Sequence, residues 1–197
     1  MTADRQHPDS GARTDVLAPL VDGAVRGDAA AVTALIRATQ RDVMRFMATL
    51  APTADVEDLT QETFIRVVRS LPGFAGRSTV RTWLFAIARR VAADHARAVS
   101  RRPRAATLPD WEAAAESVSW PGGPRFEEQQ ALADLIGGLS PERRDAFVLT
   151  QVAGLSYAEA AEVVGCPIGT IRSRVARARD DLTAAMRDVV PADRAVG

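Results

Sequence analysis

With 197 residues, 47% of them apolar, the chain can form one ordinary domain or two small helical ones, and wholesale disorder is excluded. No run reaches the roughly 18 uncharged apolar residues of a membrane span, and the first residues are polar rather than signal-like, so a cytoplasmic protein with no membrane insertion is expected. The formal net charge is zero, and one cysteine (Cys166) with two distant histidines (His7, His95) allows neither an internal disulfide nor a Cys/His zinc cage.

That zero conceals segregation. All 25 basic residues are arginine, and between Glu62 and Arg104 ten of them face only Glu62 and Asp94, a local net of +8. Residues 105–135 reverse the balance, and a second basic cluster follows at Arg172, Arg174, Arg177 and Arg179. Two basic stretches parted by an acidic one predict two nucleic-acid contacts on one chain.

Period-two alternation is nearly absent and Ala, Leu, Arg and Glu dominate, so the expected fold is all-α. Residues 1–13 read as a disordered tail. Helices are predicted near 15–26, 29–50, 55–71 and 79–99, together a first domain over 14–100. Prolines and glycines, above all in Trp120-Pro-Gly-Gly-Pro124, make 101–124 a flexible linker. A second helical domain covers 125–190, followed by a tail at 191–197.

The helix at 55–71 opens with acid, as a helix N-terminus favours. On a wheel of about 100° per residue, Val56, Thr60, Thr63 and Val67 face inward, flanked by Leu59, Phe64 and Leu71. Asp58, Gln61, Glu62, Ile65 and Arg69 face outward, an apolar residue ringed by polar ones that suits a docking surface for a basic partner helix. A Gly/Pro loop, Leu71 to Thr79, carries Phe74, Arg77 and Ser78. In the next helix Val80, Leu84, Ile87 and Val91 form the inward stripe. Arg81, Phe85, Arg89, Arg90 and Arg97 are expected outside or on the flanks, with Trp83 at the margin. Arginines interleaved with aromatics fit single-stranded DNA, in which cations follow phosphates and rings receive unstacked bases. The same pattern also fits core aromatics beside solvated arginines.

In the second half, Ser140-Pro141-Glu142 reads as a helix start with serine as N-cap. Ser156 and Glu159 have capping-box spacing, and Ala158 and Ala161 are small enough for a close helix crossing. Gly165-Cys-Pro-Ile-Gly169 makes a turn, and Thr170 caps or begins the last helix. There Ile171, Val175, Ala178 and Leu182 face a core. Gly169, Ser173, Ala176, Arg177 and Asp180 lie opposite, flanked by Arg172 and Arg174. Small residues between forked cations suit a helix inserted into the major groove.

The run Glu57-Asp-Leu-Thr-Gln-Glu-Thr-Phe64, then Phe74, Thr82-Trp-Leu-Phe-Ala-Ile-Ala-Arg89, Leu155-Ser-Tyr-Ala-Glu159 and Gly169 through Arg179 resembles the extracytoplasmic-function (group IV) sigma factors of the sigma-70 family. It is close to their actinobacterial sigma C type. The resemblance implies a sigma-2 helical bundle and a sigma-4 helix-turn-helix domain joined by the linker. It implies docking of Asp58, Gln61, Glu62, Ile65 and Arg69 on the β′ clamp helices of core RNA polymerase, with a second contact to the β flap. Phe74, Arg77, Ser78, Arg81, Phe85, Ile87, Arg89, Arg90 and Arg97 would capture melted −10 DNA. Gly169, Thr170, Arg172, Ser173, Arg174, Ala176, Arg177 and Arg179 would read the −35 duplex of the promoter DNA. Arg90 stands where several relatives carry asparagine, which puts a base contact there in doubt, and Ala176 replaces a bulkier residue of some relatives.

A sigma factor would be a monomer when free, open to an anti-sigma partner, and would need no metal or cofactor and no catalytic group. A second reading is a one-component helix-turn-helix regulator that binds duplex DNA as a dimer. An enzyme is not expected, since the chain offers no metal cluster, no phosphate-cradling glycine loop and no nucleophile beside a histidine.

Overall fold

The computed structural model describes residues 15–101 and 126–189, and every regular element among them is helical. The expected tails at 1–13 and 191–197 and nearly all of the expected linker lie outside the described residues. The first group of helices is α1 (Ala18–Val25), α2 (Ala29–Ala48), α3 (Val56–Ser70) and α4 (Val80–Arg101). The second is α5 (Phe126–Gly137), α6 (Pro141–Phe147), α7 (Tyr157–Val164) and α8 (Ile168–Val189).

Local chemistry sets the helix ends. Asp28 caps α2 by accepting from the N–H of Ala30 at 2.8 Å and of Ala31 at 3.3 Å. The capping box of α7 is complete, with Ser156 Oγ accepting from Glu159 N and Glu159 accepting from Ser156 N. Gly165 closes that helix in the left-handed region (φ 77°), which a side chain would resist. Two expectations change. Ser140 stands at the N-cap of α6 without a side-chain bond to it, Pro141 having already removed one orphan N–H. The last helix begins at Ile168 after Pro167, so Thr170 lies inside the first turn rather than at the cap.

Burial follows the predicted stripes. Thr60, Thr63 and Val67 of α3 are buried, as are Ile171, Val175 and Ala178 of α8. The buried threonines 39, 60 and 63 satisfy their hydroxyls on the carbonyl one turn earlier, at 2.7–2.8 Å. Of the small residues expected at the helix crossing, Ala161 is buried but Ala158 is exposed, and its place is taken by Ala160, which points to the other side of α7. A five-residue π-helical turn, Val148–Val152, extends α6 and buries Val148, Leu149 and Thr150.

The main core does not stop at the boundary between the two groups. Met47, Val67, Leu84 and Phe85 share one cluster with Val148, Leu149, Leu155 and Ile171. A small satellite core (Val21, Ala24, Leu35, Leu71, Val80) ties α1 to both ends of the Leu71–Val80 loop.

Candidate nucleic-acid and polymerase interfaces

The first surface is a groove of about 580 Å³ between α2 and α3. It gathers Gln61, Ile65 and Arg69, as the wheel predicted, and adds Ile36, Gln40, Met44, Phe64 and Val68. Ile65 and Val68 are 37% and 40% exposed, enough apolar area to reward a partner. Asp58 is exposed but outside the lining. Glu62 turns away to Arg66 (2.7 Å), which also holds Asp94 at 2.7 Å. These bonds keep the Asp94 carboxyl below its usual range, the Arg66 hydrogen bond outweighing desolvation and Arg97 adding to it. The α2 half of the groove escaped the sequence reading, although Ile36, Gln40 and Met44 recur at i, i+4, i+8 on one face.

The second surface is the loop and face of α4. Thr79 Oγ1 accepts from Thr82 N at 3.1 Å, as an N-cap does, and Phe74 rests on Trp83 with ring centroids 4.8 Å apart. Arg77 and Arg90 are exposed and Ser78 is half-buried. Arg97 is exposed and bonded to Asp94. The rest of the face is covered by the second helical group. Arg81 bonds Asp42 at 2.8 Å and donates to the carbonyl of Ala153 at 2.7 Å. Arg89 pairs with Asp145 at 2.6 Å.

Two site expectations are corrected here. Phe85, placed outside by the wheel, is fully buried, edge-on to Phe46 at 5.2 Å and beneath the Arg81 guanidinium. The wheel left it outside or on the flank because its ring partner, Phe46 on α2, lies 39 positions away in sequence. Ile87, offered as a DNA contact, belongs to the inward stripe and is 9% exposed, so as placed it has almost no surface to give to DNA.

Glu159 joins the groups. One carboxylate oxygen serves its own capping box, and the other accepts from Thr79 Oγ1 at 3.0 Å and Thr82 Oγ1 at 3.2 Å. Burial pushes the Glu159 carboxyl up, but the bonds from Ser156, Thr79 and Thr82 outweigh it and hold the group below its usual value. The same contest at Asp42 ends the same way, with Arg81 and Arg45 overcoming desolvation. Magnitudes rank the contacts. Full burial of a phenylalanine is worth about 1.5–3 kcal/mol, whereas a partly exposed ion pair contributes about 1 kcal/mol or less. Apolar contact therefore holds the groups together, and the polar bonds set their register. None of Asp42, Asp145, Glu159 or Thr82 was singled out from sequence as an interface residue; only the capping role of Glu159 was.

The third surface is the exposed side of α8. Gly169, Arg172, Ser173, Ala176, Arg177 and Arg179 are exposed, and Thr170 and Arg174 are half-buried. Arg179 donates to Gln151 Oε1 at 3.0 Å, and Arg174 lies 3.8 Å from Cys166 Sγ. From Ile168 to Arg179 the helix has no acid, and it presents Arg172 and Arg177 outward with small residues between them.

Among the described residues no helix is long and apolar enough to cross a membrane, and no group of three or more His, Cys, Asp or Glu side chains could hold a metal ion.

A groove-bearing helical group joined to an arginine-faced helix-turn-helix defines a sigma-70 type architecture, and the comparisons agree. Residues 35–102 match the family described as Sigma-70 region 2, and residues 129–182 match Sigma-70, region 4. A probable RNA polymerase sigma-C factor of Mycobacterium bovis is 47% identical over 170 residues, covering 86% of this chain and 91% of the relative. The ECF RNA polymerase sigma-E factor of Escherichia coli is 35% identical over 170 residues, covering 82% and 89%. Among solved structures, CnrH in complex with the cytosolic domain of CnrY matches with a TM-score of 0.70 at 25% identity, over 87% of this chain and 97% of that one. The sigma factor RpoE in complex with the anti-sigma factor NepR from Bartonella quintana matches with a TM-score of 0.62 at 26% identity, over 81% and 96%.

The chain belongs to the extracytoplasmic-function (ECF) RNA polymerase sigma factors. That is a family of alternative transcription initiation factors, and membership decides against the dimeric-regulator reading.

Proposed function

We propose that this protein binds core RNA polymerase through the α2–α3 groove and directs initiation by reading two promoter elements, the −35 duplex with α8 and the melted −10 strand with the 74–79 loop and the α4 face. The observation that carries the reading is the separation of duties. The groove is lined by apolar residues with a polar rim, while the arginine faces lie on other elements. On α2 the groove residues Gln40 and Met44 project well away from the interface residues Asp42 and Phe46, while Ile36, about 80° round the helix from Phe46, borders both the groove and the core.

On this reading residues 14–100 and 125–190 act as the two working domains. The groove takes the β′ clamp helices, the C-terminal domain a β-flap contact. Arg172, Ser173, Ala176 and Arg177 meet base edges; Arg174 and Arg179 favour phosphate. Phe74, Arg77, Ser78, Arg90 and Arg97 are available to DNA as the chain stands. Arg81 and Arg89 are tied to Ala153 and Asp145, and for DNA to take them the second helical group must move off α4; Phe85 is packed on Phe46 within the first group and is left out of the DNA contacts. Polymerase, holding the two domains at promoter spacing, supplies the free energy for that parting and raises the effective concentration of each domain at its element. The structural neighbour solved with the anti-sigma factor NepR supports a partner of that class for this chain as well. No covalent step is required of the sigma factor. Its binding free energy offsets base unpairing, and polymerase performs phosphoryl transfer.

The test is promoter-specific transcription with purified core polymerase. The Asp58→Arg, Ile65→Arg double variant is expected to lose core association and promoter-directed initiation together. Wild-type initiation by that variant would refute the docking surface.

A further inference from the structure

We infer that α1 and Asp15 are the footing of the base-receiving loop, and that Asp15 is a positioning residue for −10 capture. This rests on the reading of Phe74–Thr79 given above. Val80 N–H is the first donor of α4 and has no partner within its helix. It donates instead to Asp15 Oδ2 at 2.6 Å, a bond that spans 65 positions of sequence. The other oxygen, Oδ1, accepts from Leu17 N at 3.1 Å and so starts α1 itself. One carboxylate thus fixes the start of two helices.

The apolar contacts repeat the pattern. Leu71 and Val80, the two ends of the loop, are 2% and 1% exposed in the satellite core that α1 builds with Leu35. Leu17, Leu20, Phe74 and Trp83 pack against this core. The loop is therefore anchored at both ends on α1, and the ring of Phe74 lies over the same base. The seat of α1 is close-fitting: a Cβ on Gly23 would come within 2.7 Å of Ala31 Cβ on α2. Moving α1 moves the floor under Phe74, whereas no buried residue of the satellite core lines the α2–α3 groove or belongs to α8.

The experiment uses the full-length chain in holoenzyme, with a fluorescent base analogue in the −10 region reporting opening and pre-melted templates of varied −10 sequence reporting base preference. Asp15→Ala is expected to weaken opening about fivefold, the size of effect a lost helix cap has, and to flatten base preference. Core affinity and −35 duplex affinity should not change. Asp15→Asn keeps one acceptor oxygen for the two donors and should recover part of the loss. Gly23→Ala should reproduce the defect, and adding Ala31→Gly should relieve it. Val43→Ala, in the main core, controls for stability: it lowers Tm without altering base preference. Wild-type opening and preference in Asp15→Ala, beside a defect in Phe74→Ala, would overturn the inference alone. A defect matched by Val43→Ala at equal loss of Tm would do the same. An indifferent Phe74→Ala would overturn the loop reading and this inference with it.

Discussion

α4 and α8 are both 22-residue helices rich in arginine, and the folded chain treats them differently. On α4, Arg81, Arg89 and Arg97 bond to Asp42, Asp145 and Asp94, and two of those three carboxylates belong to other helices. On α8, Arg172 and Arg177 stand exposed on a stretch without acid. An arginine run announces an electrostatic surface, but carboxylates distant in sequence decide whether it is free for a ligand. In this conformation the helix proposed to read duplex is open, and part of the face proposed to capture the melted strand is closed.

The largest expected effect tests whether the covered part of α4 behaves as core. Phe85→Ala should destabilise the chain by about 3–5 kcal/mol, as aromatic truncation in a packed interior does. Calorimetry would show it as a clear drop in Tm, and a change under about 1 kcal/mol would mean that Phe85 is not packed in the interior. Next comes the exposed helix: Arg177→Ala should weaken −35 duplex binding by holoenzyme by about 1–3 kcal/mol while shifting stability by no more than about 0.5 kcal/mol. A loss of stability without a loss of binding would reverse the contrast.

Thr82→Val keeps shape and removes one bond to Glu159, about 1 kcal/mol for a part-buried hydrogen bond. Faster amide hydrogen exchange along Thr79–Arg90 should reveal the loosened contact. Because the Glu159 carboxyl is held below its ordinary value of 4.5, its contribution is complete above that value and fades as pH falls through the lowered one. Stability should therefore fall with acid over that window, and Glu159→Gln should flatten that part of the profile. The smallest change belongs to Arg89→Ala. Its ion pair with Asp145 is about a quarter exposed on each side, and its removal should cost about 1 kcal/mol or less.

Much of the fold was legible because it is written in local chemistry. The stripes of α3 and α8, the capping box at Ser156 and the turn at Gly165 each involve residues within a few positions of one another. The exposure of Gly169, Arg172, Ser173, Ala176 and Arg177 on α8 was legible for the same reason. What escaped joins distant segments: Phe85 against Phe46, Glu159 against Thr79 and Thr82, Asp15 against Val80, and Ile36, Gln40 and Met44 completing the groove. A helical wheel separates inside from outside for one neighbour only, whereas α4 has several. Ala158 shows the same limit, since the wheel could not say which side of α7 the crossing helix would take.

The floor of the groove carries one more consequence. Phe64 lines it and belongs to the core that the two helical groups share, and Ile36 packs against that core, so occupancy of the groove and closure of the two halves are coupled through common packing. A short helical mimic of the groove's partner would therefore titrate the compact and the parted chain with different dissociation constants. It would silence the protein by competition and at the same time act as a wedge or a clamp.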